Sequence, residues 1–146
     1  MGRVFKIGIS SKSKKSINSV QQIEVKSGRG IVKDRFFNKN NNKASQLTLI
    51  EKEKIDEFNK LLNIKIPYID FRRNIVTEGV NLNNLLHKNI KIGNVVLKVH
   101  DLCEPCRYLQ ETLNIDNLVK NLTHKGGLRC EILSDGKINV GDEVLC

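Results

Sequence analysis

The sequence predicts a mainly β domain with a few helices, an α+β fold in which a β-barrel or strongly curved sheet carries helices at its rim. Two observations lead there. Short runs rich in Val, Ile and Leu recur along the chain between Gly, Asn and Ser-Asp turns, and only two stretches carry helical spacing. A length of 146 residues is that of one domain, residues 1–146, able to enclose a core of Ile, Leu and Val without disulfides.

Arg3 to Ile9 carries Val4, Phe5, Ile7 and Ile9 ahead of a Ser- and Lys-rich turn and reads as the first strand. Ser19 to Val25 reads as another. Gly28-Arg29-Gly30 is a GxG without a helix directly behind it, so it reads as a turn and not as a dinucleotide fingerprint. Asn38 to Lys43 is polar and patternless and predicts a loop. Thr48-Leu49-Ile50-Glu51 fits a capping box, and Ile55, Phe58, Leu61 and Leu62 behind it predict an amphipathic helix that Pro67 ends. Phe71 to Val76 then resumes an extended pattern.

Lys91 to Leu97 and Asn139 to Leu145 each read as strand, Gly-centred turn, strand, two hairpins more simply than a duplicated unit. Between them, Leu109, Leu113, Leu118, Val119 and Leu122 predict one interrupted helix or two short ones around Asn114, ended by Gly126-Gly127. Leu128 to Leu133 reads as a strand, followed by a turn at Ser134-Asp135-Gly136.

A net charge of +9 favours anionic partners. The basic residues of the first third alternate with Ser, Asn and Gly, and only Phe36 and Phe37 could stack on bases, so nucleic acid is not the expected partner. No apolar run reaches the roughly 20 residues of a membrane span, no signal-peptide pattern opens the chain, and Lys6 stands where myristoylation wants Ser or Thr. A cytoplasmic protein without a membrane partner is expected, and its four cysteines read as thiols, ligands or nucleophiles.

Cys103-Glu104-Pro105-Cys106 supports three chemistries: half a zinc site completed by His124 and Cys130, a redox dithiol, or one reactive thiol with an incidental neighbour. The third fits best. Val95 to Val99 delivers the segment to a strand end, and Pro105 suits a first helical turn, so Cys106 would lie near a helix N-terminus that lowers a thiol pKa. On pattern alone an inert buried cysteine stands level with it. In Phe71-Arg72-Arg73-Asn74, read as extended, neighbouring side chains point to opposite faces, so at most one arginine enters a site. No Walker sequence, nucleophile elbow, HExxH or catalytic pair of carboxylates is visible.

Taken in order, Gly28 to Arg35, Gln46 to Ile50, Phe71 to Val80, Leu85 to Gly93, Glu104-Pro105-Cys106, and Gly126-Gly127-Leu128-Arg129 through Gly141 to Val144 resemble the MOSC domain, named for the C-terminal domain of molybdenum cofactor sulfurase. The resemblance implies a MOSC-type β-barrel. It implies that Cys106 is the functional thiol, holding sulfur or ligating molybdenum, and that Arg72, Arg73, Asn74 and Arg129, with Asp34 and Glu104, bind the molybdenum cofactor (molybdopterin), the arginines facing its anionic pterin phosphate. The family's wider context includes pyridoxal phosphate enzymes. Lys33-Asp34-Arg35-Phe36 departs from the Gly-Asp-Arg-His of many relatives. Three functions follow: cofactor handling or sulfur transfer through Cys106, with a sulfur donor as partner; molybdenum-dependent reduction of N-hydroxylated compounds, served by a separate reductase because the chain has no flavin or iron–sulfur motif; or a non-catalytic module with a structural zinc site.

Overall fold

Alternation of buried and more accessible side chains, the signature of a half-buried strand, runs through Gln22–Lys26, Asn89–Ile92, Val95–Leu102 and Leu128–Ile132. The computed structural model describes residues 2–10, 17–38, 43–104, 107–115 and 117–146, the side chains of Arg107 and Tyr108 aside. Its strands are β1 (Gly2–Ile9), β2 (Asn18–Val20), β3 (Gln22–Lys26), β4 (Gly30–Ile31), β5 (Leu47–Glu51), β6 (Ile75–Glu78), β7 (Asn89–Ile92), β8 (Val95–Leu102), β9 (Leu128–Ile132), β10 (Gly136–Asn139) and β11 (Glu143–Leu145). Its helices are α1 (Lys52–Leu62), α2 (Arg107–Leu113) and α3 (Leu118–Leu122).

Seven strands close into a barrel in the order β1-β11-β7-β8-β9-β5-β6 and back to β1, as the mainly β reading expects. Gly2 opposite Val144 makes the closing pair. β2 continues along one edge of β1, and β10, β3 and β4 form a second, three-stranded sheet. Every pairing in the ring is antiparallel except β5 with β6, where Leu49 lies beside Ile75 and Ile50 beside Val76. Parallel neighbours need a crossover, and α1 with the segment behind it supplies one.

That crossover buries both faces of the pair. Leu49 and Ile75 join the barrel interior with Ile7, Leu97, Leu128 and Ile132, whereas Ile50 and Val76 face a second core with Ile55, Phe58, Phe71, Leu109, Leu118 and Leu122. Burial on both faces explains why these strands read as apolar runs instead of alternating. Each large side chain so buried stabilises the fold by about 1.5–3 kcal/mol, and Phe58 meets Phe71 edge to face at 5.8 Å.

Five expectations are corrected. Thr48 to Glu51 is strand, not capping box: α1 begins at Lys52, its N-cap Glu51 makes no side-chain cap bond, and the Thr48 hydroxyl bonds to Asn74 instead. Burial of Leu47, Leu49 and Ile50 outweighs the local capping signal. On α1, Ile55 and Phe58 are buried but Leu61 is 68% exposed. Ser19 to Val25 breaks at Gln21 into β2 and β3, which join different sheets. Asn139 to Leu145 is no hairpin, because β10 pairs with β3 while β11 pairs with β7 and β1. Phe71 to Asn74 is not extended: Tyr68–Phe71 is a 3-10 turn and Arg72 is left-handed at φ 63°.

The hairpin at Lys91 to Leu97 forms as expected around Gly93, and α2 and α3 break at left-handed Asn114. Of the expected loop, residues 39–42 lie outside the described residues. Among the described residues no helix is long and apolar enough to cross a membrane.

Candidate functional site

At one end of the barrel, β5, β9, the turn after β4 and the turn before β6 surround a cleft of about 250 Å³. Asp34 organises one wall. Its carboxylate accepts the backbone N–H of Ser10 at 3.1 Å and of Phe36 at 3.3 Å, and the Arg35 N–H donates to the Ser10 carbonyl at 2.7 Å. The turn so held presents Arg35 and Phe36 to the cleft, the guanidinium lying over the ring at 4.5 Å from its centroid.

Thr48 and Asn74 line the opposite side. The Asn74 N–H donates to the Thr48 hydroxyl at 3.0 Å, and Asn74 Oδ1 accepts from the Thr48 N–H at 3.0 Å and from its hydroxyl at 3.2 Å. Asn74 Nδ2 donates to the Gly8 carbonyl at 3.4 Å. Left-handed Arg72 puts its side chain at the cleft. Arg73 turns the other way and is buried, donating from Nε to the Gly126 carbonyl at 2.9 Å and from its terminal nitrogens to Phe71, Cys103 and Glu104 carbonyls at 3.3–3.5 Å. Of the two adjacent arginines, both implied by the resemblance to bind the cofactor, Arg72 lines the cleft and Arg73 is committed to backbone carbonyls. The divergence comes from a left-handed residue and not from strand pleating.

Arg129, on β9 opposite Thr48, lines this cleft and also a shallower basin of about 470 Å³ with Leu86, His87, Asp101 and Glu104. Glu104 is thus in the basin, where its carboxylate accepts the His124 backbone N–H at 2.6 Å and pairs with His124 Nδ1 at 2.8 Å. Gly127 allows β9 to come up against β5: at φ 101° it sits where an added Cβ would collide with the Leu49 carbonyl oxygen.

Cys106 and Pro105 lie outside the described residues. Cys103, which the sequence ranks below Cys106, is buried and lines the cleft, its N–H donating to the Gly127 carbonyl at 2.7 Å. Cys130 is in the barrel core, where burial, with Cys103 nearby, pushes its thiol up to about 12. Of the other zinc candidates, His124 is engaged with Glu104, and no group of three His, Cys, Asp or Glu among the described residues could hold a metal ion.

Sequence reasoning assigned no role to Gln46 or Arg35, took Thr48 for a helix cap and considered Phe36 only as a ring for stacking nucleic-acid bases, yet all four line the cleft. Gln46 leads directly into β5, and its Oε1 accepts the Ile132 N–H at 2.8 Å. For Arg35 and Phe36 the signal was their place beside Asp34, a basic–aromatic pair in a polar turn.

The family profile described as MOSC domain matches residues 35–145. No curated protein matches the chain. In fold it is similar to the YuaD protein from Bacillus subtilis, with TM-score 0.80 and 17% identity over 99% of this chain and 94% of that one. It is similar to YiiM from Geobacillus stearothermophilus, with TM-score 0.81 and 16% identity over 99% and 74% of the two chains. The corresponding values for YiiM from Escherichia coli are 0.73, 16%, 99% and 70%. At such identities the likeness is one of fold.

Proposed function

The chain belongs to the MOSC domain family, and from that premise we propose that it binds molybdenum cofactor in the arginine-lined cleft and acts in cofactor handling or sulfur transfer through Cys106. The observation that carries this reading is the charge of the cleft. Among the described lining residues, Arg35, Arg72 and Arg129 stand against one carboxylate, Asp34, whose two oxygens already accept backbone N–H groups. Such a cleft suits an anion with several oxygens, and the planar donor fork of arginine matches a phosphate.

The donor set fits the cofactor's other end as well. Cys103 brings a thiol to the cleft wall, Cys106 follows three residues later, and thiolates suit a soft metal. When bound, the cofactor supplies a redox-active molybdenum centre. The chain supplies the rest: Arg72 and Arg129 hold the phosphate, the Thr48–Asn74 pair fixes the wall, and Arg73 anchors the backbone of Cys103 and Glu104. Protein purified from a cofactor-producing host should contain molybdenum and pterin, and Arg72→Ala and Cys106→Ser should each lower both. Stoichiometric zinc that ignores cofactor supply would overturn the proposal.

The basin across Arg129 favours a second reading, because it offers room beside the cleft for a ligand distinct from the cofactor. That reading is reduction of an N-hydroxylated compound with electrons from a separate reductase. Turnover of an N-hydroxylated base by cofactor-loaded protein and a supplied reductant would support it. A loaded protein inert across such substrates would count against it.

A further inference from the structure

Phe36 is 49% exposed, and it is the one aromatic ring among the described lining residues of the cleft. A single exposed Phe needs no explanation in itself. This one is held in place from several directions. Its N–H donates to Asp34, the Arg35 N–H is tied to Ser10, and the Phe37 N–H donates to the Asp34 carbonyl at 3.0 Å. At the base of the turn, Asn38 donates to the Arg29 carbonyl at 2.8 Å, Arg29 Nε donates to Asn38 Oδ1 at 2.6 Å, and the Arg29 guanidinium lies 5.0 Å from the Phe37 centroid.

The Arg35 guanidinium covers one face of the Phe36 ring, and half of the residue stays accessible. A cation behind a phenyl ring offsets the negative charge of its face, which favours an electron-rich or anionic ring on the other side over a second cation. Ile17 adds an apolar surface to the same cleft, and Arg72 and Arg129 add charge. We propose that Phe36, backed by Arg35, is a platform on which the cleft stacks a flat heteroaromatic ring whose anionic substituent is met by Arg72 and Arg129. This deepens the function proposed above and rests on it for the choice of ring.

The probe is pterin-6-carboxylate, a flat, anionic and fluorescent ring, titrated into the purified full-length chain and followed by quenching and anisotropy, with inorganic phosphate as the ringless control. Stacking on one aromatic side chain implies that Phe36→Ala weakens pterin-6-carboxylate about tenfold. Phe36→Trp should restore affinity, and competition by phosphate should be unchanged in both. An affinity for Phe36→Ala within twofold of the parent, or no binding by the parent chain, overturns the proposal. Purified protein without molybdenum or pterin would instead defeat the cofactor reading, and the titration would still decide the platform. In cofactor-containing protein, a pterin content that falls with Phe36→Ala assigns the platform to the cofactor's own ring. A content that holds while probe affinity falls assigns it to a flat substrate.

Discussion

Thr48 and Asn74 satisfy one another's backbone: each N–H donates to the other's side-chain oxygen, and both bonds are 3.0 Å. The pair staples the turn before β6 to β5 at the mouth of the cleft. Thr48→Val keeps the shape and removes the hydroxyl, leaving the Asn74 N–H without its acceptor. A loss of about 1–2 kcal/mol follows, read from denaturant unfolding, with phosphate affinity falling alongside.

The adjacent arginines should separate stability from binding. Arg73→Ala strips donors from carbonyls on three chain segments and should cost about 3 kcal/mol, and Arg73→Lys should rescue little, since an ammonium cannot span those carbonyls. Arg72→Gly removes the strain of a left-handed residue at φ 63° and should therefore cost much less in unfolding than Arg73→Ala. Its inorganic phosphate affinity should drop about tenfold, the loss of one charge-assisted contact of roughly 1.4 kcal/mol.

Lys33 occupies the left-handed region at φ 73°. Lys33→Gly should raise stability by about 1 kcal/mol, seen as a higher urea midpoint at unchanged slope.

Cys130 gives a pH dependence of definite sign. Its folded thiol is raised from 9.0 to about 12, so the stabilising difference is complete below pH 9 and is lost as pH climbs toward 12. Stability should therefore decline by up to roughly 1.4 kcal/mol per pH unit between pH 9 and 12 more steeply than in Cys130→Val. Alkylation should label exposed Cys146 readily in the native protein and Cys130 only on unfolding.

What could be read from the sequence followed local chemistry. The β7–β8 hairpin and the break between α2 and α3 are written in a Gly turn and an Asn, and both form. Long-range pairing carried no such mark. Nothing near Asn139 tells that β10 leaves for β3, or that β11 turns to β1, and the capping pattern at Thr48 is overridden by burial between two cores. The site followed the same division. Arg72, Asn74, Asp34 and Arg129 do line one cleft, but the commitment of Arg73 to backbone carbonyls depends on Gly126 and Cys103, distant in sequence.

The pairing of Gly2 with Val144 also sets an order of events during synthesis. The first strand waits for β11, the last of the eleven described, so the ring has no closed form while the ribosome is still adding β11, whereas the β5–α1–β6 unit can pack from local contacts long before. The cleft draws on residues from Ile17 to Arg129, so its far wall is missing until β9 is made. Ligand capture is thereby deferred until β9 has been made, and a truncated product ending before β9 would carry Arg72 yet no cleft for it to serve.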